Sequence, residues 1–449
     1  MGLLKYIVFF GALLVGVPLG TSLASKNEKF EKLIFFLMIF FTVETVTINF
    51  VSREFFRGTS RGFEVGLVDI AMLIIWQLII RRKTVNNLPQ KPPGSGLYFL
   101  FFFFCWISIF NSAPGYVVHS YFEIWKMLRM YAYFWVIYNY INSWQQIELL
   151  MKIIGIIIIY IGVIVLKQKY IDGRFQNPGP FPHQNSLVMY LIVFGSLVFA
   201  YLLNRRDVKL WYWLFVLAMA AISVVSTLSR AGMAFFVFSC AIVWFFSFTQ
   251  GFTAKKVGIT LLLLLVALAG FLRAMDSIME RFETAAEESA MTRVILAKTA
   301  VKMANDKVLG IGLNNFGVKV NPPYDYGSEI YPYLNDGKLP PEDYEEKNGL
   351  VETAYLSIAA ETGWHNLLVY LLFLFYFLGM NYGNLRRLKN HQSQFVAIGL
   401  MGGLSGIYLE STLEWVLRQT NNFYQLMMMF ALIAAMRKIY RHPEVMENV

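Results

Sequence analysis

The sequence predicts an all-α, polytopic integral membrane protein of about 12–13 transmembrane helices, with one large extracytoplasmic loop before the last three spans. Three observations predict it. The chain of 449 residues is 57% hydrophobic and only 15% charged, with a mean hydropathy of +0.51. That composition excludes an ordinary soluble enzyme. Apolar runs of about 20 residues, the length of one bilayer crossing, recur along the chain and do not alternate as barrel strands do. One polar stretch interrupts them, from Met275 to Gly349, with 13 acidic against 8 basic residues.

In chain order, the apolar runs fall near 4–25, 31–50, 64–80, 97–112, 121–141, 149–168, 184–203, 209–228, 232–249, 256–273, 353–380, 393–412 and 421–437. The first carries Lys5 near its start but has no convincing cleavage site and no soluble domain after it, so it reads as a span. Gly16-Val17-Pro18-Leu19-Gly20 is the point where it would break. Cys105 and Cys240 both lie inside apolar runs and read as packing residues. The five histidines show no ligand spacing, so neither a metal nor a cofactor is expected. Three regions follow: an N-terminal bundle over 1–273, an extracytoplasmic loop with an amphipathic helix over 274–351, and C-terminal helices over 352–449.

Basic clusters orient the spans. Arg81-Arg82-Lys83, Arg205-Arg206, Lys255-Lys256, Arg386-Arg387 with Lys389, and Arg437-Lys438 all fall on one side, which the positive-inside rule makes cytoplasmic. Much of the +10 net charge is this signal, so no nucleic-acid partner is expected.

The outer side then collects a second set of charges. Arg53, Arg57, Arg61, Glu64 and Asp69 lie at the start of the third span. Glu123, Lys126 and Arg129 recur every three residues in the fifth. Arg174 and His183 share the 169–183 turn, Arg230 sits between two spans, and Glu410, Glu414 and Arg418 cluster near the C-terminus. Charge near membrane depth is costly and commonly faces a cavity. Two readings stand side by side: interfacial anchors that snorkel, or cations that grip a phosphate-bearing lipid, for which the arginine fork is suited.

Within the polar stretch, Ser289 to Asn305 has helical spacing, with Met291, Ile295, Ala297, Val301 and Met303 as an apolar stripe and a membrane-surface position expected. Leu309-Gly310-Ile311-Gly312-Leu313-Asn314-Asn315-Phe316 turns the chain. The part over 321–348 is rich in tyrosine and proline, either a sugar-stacking lid or one packed on itself. The chain then returns to the membrane with Glu352 at the mouth of a span and Glu361 nine residues on, about 13 Å along a helix. A partly desolvated carboxylate there has a raised pKa and suits a general base.

These segments carry a family resemblance. Arg293-x-x-Leu296-Ala297-x-x-Ala300-x-x-Met303, then Asp306, then Leu309-Gly310-Ile311-Gly312-x-x-x-Phe316, resembles the signature around the large periplasmic loop of the O-antigen ligase and Wzy-type polymerase superfamily. Tyr355-Leu356 to Glu361-x-Gly363 is similar to the block that follows it, and Gly179-x-Phe181-x-His183-x-Asn185 and Ser229-Arg230-Ala231-Gly232 to two further blocks. The resemblance spans most of the chain through the order of these blocks.

It implies an inverting, metal-independent glycosyltransferase of the bacterial inner membrane, active at the periplasmic face. Its partners would be a polyprenyl (undecaprenyl) diphosphate-linked oligosaccharide, an acceptor glycan, membrane lipid and a chain-length regulator. By matching position, Arg230 and Arg293 would hold the diphosphate. Lys126, Arg129 and Arg174 follow as further contacts, and His183, Glu361, Glu410 and Arg418 as secondary candidates. The chain departs from ligases at one place. Where they typically carry His-Asn before the aromatic-Leu, it has Glu352 and Thr353. Glu352 is therefore the candidate base, and a polysaccharide polymerase is favoured over an O-antigen ligase. A transporter of the same lipid-linked glycans would call for inverted repeats and broken helices at mid-membrane; the sequence shows no internal repeat, and the large loop occurs only once.

Overall fold

In a bilayer, helices satisfy every backbone polar group within one segment, so long apolar runs become helices. The computed structural model describes residues 2–53, 58–82, 88–205, 207–262, 265, 287–333 and 350–441. Arg57, Lys83, Arg206, most of the expected 256–273 span, and Pro340, Pro341 and Tyr344 lie outside them, as do the side chains of Tyr331 and Tyr333.

The first run holds α1 (Gly2–Gly11) and α2 (Val17–Lys26), joined by a π-helical turn over Ala12–Gly16. Pro18 lacks an N–H to give to the preceding turn. The wider turn ahead of it accommodates that loss, and Tyr6–Lys26 runs as one apolar helix. Asn27 caps α3 (Glu28–Phe40) by accepting from the Lys29 and Phe30 amides.

The expected second span, 31–50, stops short at Phe40. Its second half forms β1 (Thr47–Ser52), paired antiparallel with β2 (Gly62–Gly66). Thr47-Ile48-Asn49-Phe50 alternates polar and apolar residues, and the run to Ser52 is rich in β-formers. A hydropathy sum over the run hides that period of two.

The following helices fall on the predicted runs: α4 (Leu67–Arg81), α5 (Ser95–Ser108), α6 (Val117–Tyr140), α7 (Trp144–Tyr170), α8 (Gln184–Asn204), α9 (Leu210–Ser226) and α10 (Arg230–Phe248). Helix is also present over 254–262. In the polar stretch lie α11 (Glu287–Asp306) and the short α12 (Phe316–Lys319).

The expected span 353–380 is two helices, α13 (Ala354–Thr362) and α14 (Trp364–Arg387), separated at Gly363, whose φ is +86°. Two more, α15 (Gln394–Glu410) and α16 (Thr420–Arg441), complete the chain. Five helices are long and apolar enough to cross a membrane: Tyr6–Lys26, Trp144–Tyr170, Gln184–Asn204, Arg230–Phe248 and Trp364–Arg387. Ser95–Asn111, Leu210–Ser226 and Gln394–Glu410 are apolar but shorter. The architecture is that of an all-α polytopic membrane protein.

α8 lies at the centre, its apolar stretch wholly buried. Glycines of α15 admit it: Gly399 lies against Leu197 and Gly403 against Val193, while Gly402 and Gly406 meet Ser239 of α10. Small residues at such contacts let helix backbones approach closely.

The two ends of the bundle differ. At one, Arg82 donates twice to Glu31, at 2.8 and 2.6 Å, Arg205 pairs with Glu148 at 2.5 Å, and Lys255 donates to the Arg205 carbonyl. Arg82, Gln146 and Lys438 share one cavity wall at this end. This is the basic end, as the cluster pattern predicted.

Candidate active site

The opposite end is organised around the N-terminus of α13. Its first amide, Ala354 N, donates to the carbonyls of Ser411 and Glu414 at 3.0 and 3.3 Å. The 411–414 turn between α15 and α16 thus caps α13, and Glu352 stands two residues ahead of the helix.

α11 lies across α13. Ile295, Leu296, Ala300 and Met303 form a buried cluster with Ile311, Phe316, Val351 and Ala360. The buried face therefore follows 295/296, 299/300 and 303/304, not the predicted stripe, and Met291 is exposed. One residue of shift turns a helical face by about 100°. The helix is held by protein on that face, so a purely membrane-surface position does not describe it.

That seating brings Arg293 to Glu352. Arg293 Nε is ion-paired with Glu352 Oε2, and Arg293 Nη2 lies 3.9 Å from Glu414 Oε1. Burial raises the Glu352 carboxyl above its ordinary range, opposed by Arg293. Burial pushes Glu414 up to about 7, against a hydrogen bond from Asn185; the Glu352 charge adds to the rise and Arg293 opposes it.

Asn185 is in the first turn of α8, where the His183 Nδ1 caps the helix by accepting from the Asn185 amide at 3.2 Å. Burial and the nearby Arg293 charge lower the His183 pKa. His183, Asn185, Arg293, Glu352 and Glu414 are thus one assembly drawn from four parts of the chain.

Arg230 opens α10, capped by Ser229 Oγ, which accepts from the Gly232 amide at 3.3 Å. Gly232 lies directly against Val188 of α8. The start of α10 is thereby seated on the first turns of α8, and Arg230, exposed, is at the same end as His183. Arg174 is exposed too, and its ion pair is local, to Asp172 at 4.0 Å.

The other candidates form a separate, buried network. Lys126 Nζ pairs with Glu123 at 2.7 Å and donates to the carbonyls of Thr59 and Arg418 at 2.8 Å. Arg418 donates to Glu361 Oε2 at 2.7 Å and to Ser357 Oγ, and lies 3.6 Å from Glu123. Two acids and two bases balance, as buried charge requires.

Arg129 makes a bidentate pair with Asp69, at 3.0 and 2.7 Å, and Tyr424 donates to the same carboxylate at 3.1 Å. Lys126, Glu361 and Arg418 thus tie α6 to α13 and the 416–418 turn, and Arg129 ties α6 to α4 and α16. Glu410 is fully buried, and among the described residues neither of its oxygens accepts a hydrogen bond.

The Leu309–Phe316 turn is a plug inserted between helices. Ile311 N and Gly312 N donate to the carbonyls of Ala360 and Glu361 at 2.9 and 3.1 Å. Gly310 has φ +71°, and a Cβ there would lie 2.3 Å from the Glu361 backbone, so only glycine fits. Asn314 accepts from Thr59 N at 2.9 Å and donates to the Ser60 and His119 carbonyls, while Asn315 accepts from Ala113 N at 3.0 Å. Of the predicted lid, Tyr324 and Tyr326 are turned onto the loop's own Lys319 and Lys302, whose Nζ atoms lie 5.5 and 5.9 Å from the ring centroids.

Residues 214–371 match the O-antigen ligase family model. The matched O-antigen ligase segment runs from α9 into α14 and contains Arg230, Arg293, the Gly310 plug, Glu352 and Glu361. It agrees with the motif-based resemblance to the O-antigen ligase and Wzy-type superfamily. No curated protein matches the chain.

Glu414 and Asn185 are the site residues that motif reasoning left out. The signal for Glu414 was its place among clustered outer charges; its nearness to Arg293 depends on the turn that caps α13. Asn185 was visible only as the last position of the His183 block.

Proposed function

We propose that the chain is a polysaccharide polymerase: an inverting, metal-independent glycosyltransferase that lengthens glycans carried on polyprenyl (undecaprenyl) diphosphate. It works at the periplasmic face of the bacterial inner membrane, in O-antigen or exopolysaccharide assembly. The observation that carries this reading is the half-buried Glu352, paired with Arg293 at the mouth of α13 and neighboured by Glu414.

In the proposed reaction, the acceptor hydroxyl oxygen attacks the anomeric carbon of the carrier-linked glycan and its proton passes to Glu352. The bond from that carbon to the diphosphate oxygen breaks, and the electron pair leaves with the diphosphate. Arg293 and Arg230 hold the diphosphate as negative charge builds on it. An arriving diphosphate competes with Glu352 for the Arg293 fork. Exchange of that partner frees the carboxylate to act as base, so substrate binding itself arms the site. The N-terminus of α13 adds favourable potential for anions at the same place.

A second reading follows from the description of the matched family: an O-antigen ligase that transfers the glycan to a lipid or protein acceptor. Mass analysis of lipid-linked glycans after incubation with purified protein separates the two. Lengthened carrier-linked glycans support the polymerase, and transfer to a second molecule supports the ligase.

A further inference from the structure

The basic end holds a second site that this reaction does not use. Two cavities there, of about 340 and 170 Å³, share Gln90 and Lys438 in their walls. Lys91, Arg437, Lys438 and Arg441 line the larger one, beside Tyr138 and Tyr376. Among the described residues, no Asp or Glu lines either cavity.

The cations differ in how they are satisfied. At the smaller cavity, Arg82 is held by both oxygens of Glu31. At the larger, Lys438 Nζ donates to the Tyr138 carbonyl at 2.5 Å and sits 4.3 Å from the Tyr138 ring centroid. Arg437 Nε is buried and, among the described residues, has no hydrogen-bond partner. A buried N–H without an acceptor is costly and calls for an explanation. Arg205 Nε at the same end is also buried without an acceptor, but its terminal nitrogens are held by Glu148 and Gln392.

A cavity walled by Lys91, Arg437, Lys438 and Arg441, with no acidic residue among the described lining, favours an anion. The guanidinium fork matches a phosphate, and the cavity lies by the ends of α6 and α16 and the 90–93 segment ahead of α5, beside Tyr376 in the middle of α14. We propose that this cavity binds a phosphate ester, the headgroup phosphate of an anionic lipid in the leaflet at the basic end. An acceptor oxygen of that phosphate takes the Arg437 Nε hydrogen bond, and the remaining charge faces Arg441 and Lys91.

The test titrates the full-length protein in neutral detergent with dioctanoyl phosphatidylglycerol, dioctanoyl phosphatidylcholine or inorganic phosphate, and reads bound ligand by native mass spectrometry. The expected result is one retained phosphatidylglycerol and no retained phosphatidylcholine. Retention falls about tenfold or more in a protein carrying Arg437→Gln with Arg441→Gln, the scale for removing two interfacial cations. Arg441→Gln with Lys91→Gln, both exposed positions, weakens it without touching the buried group. Inorganic phosphate that displaces the lipid at similar concentration supports the phosphate site and names water as a second source of ligand. Equal retention of the two lipids, or unchanged phosphatidylglycerol retention in both variants, overturns the proposal.

Discussion

Arg293, from the helix of the polar stretch, is ion-paired with Glu352, at the mouth of the half-helix α13. The same guanidinium lies 3.9 Å from Glu414. One cation shared by two carboxylates is an arrangement that a diphosphate can disturb, because it offers the fork a more highly charged partner. Glu352→Gln should therefore lower glycan transfer by about 10²- to 10⁴-fold, the usual worth of a positioned base. Its melting temperature should stay close to wild type, because the pair is about half exposed and worth little to stability.

The pH profile should report the Glu352–Glu414 pair. A base works deprotonated, and burial holds Glu414 up to about 7 and raises Glu352. Activity should be low in acid and rise with pH above the ordinary carboxylate range, in a step that belongs to the pair. Glu414→Gln removes a neighbouring negative charge, so the rising limb should move to lower pH. Arg293→Ala removes the cation that opposes protonation, so its residual activity should rise at higher pH than wild type. Initial rates measured against pH for the three proteins check both directions.

Arg418 and Glu361 should act on folding. Arg418→Met leaves Glu361 and Glu123 buried without their shared cation, a change that typically costs about 3–5 kcal/mol. Thermal unfolding in detergent should show a large fall in midpoint. Glu361→Gln keeps an acceptor for Arg418 and should destabilise less. It should also retain transfer activity at temperatures where it is folded, unlike Glu352→Gln.

Gly310→Ala forces a Cβ into the Glu361 backbone at a positive φ. The plug should detach at a cost of roughly 1–3 kcal/mol or more, seen as faster proteolysis within the polar stretch. Gly96→Ala, where a Cβ meets open space within a helix, serves as the control and should cut no faster than wild type.

Much of the fold was legible because hydropathy and helical length are local properties. Ten of the apolar runs lie on described helices close to their predicted places, and the basic clusters gather at one end. Two features escaped for identifiable reasons. A window wide enough to find a span averages away the alternation of Thr47–Phe50, so the β-hairpin was hidden. Gly363 lies inside the expected 353–380 span, just after Glu361-Thr362, and its role as a break depends on the approach of Val308 across the chain.

The site was legible in part. Arg293 and Glu352 were marked by motif position and by polarity at a span mouth, and the fold brings them together. Lys126, Arg129 and Arg418 carried the same arginine-and-lysine signature on the same side, yet their partners are Glu123, Asp69 and Glu361. Spacing alone does not tell which carboxylate each cation meets or how deeply the pair is buried, because pairing is a tertiary property. Glu414 shows the converse, since only the turn that caps α13 sets it beside Arg293.

The most direct measurement is turnover of polyprenyl-diphosphate-linked repeat units by the purified protein in detergent, with Glu352→Gln and Arg230→Ala beside the wild type. The expected result is a ladder of longer carrier-linked glycans from the wild type that is lost in both variants. A folded Glu352→Gln protein that builds the ladder at the wild-type rate would contradict it.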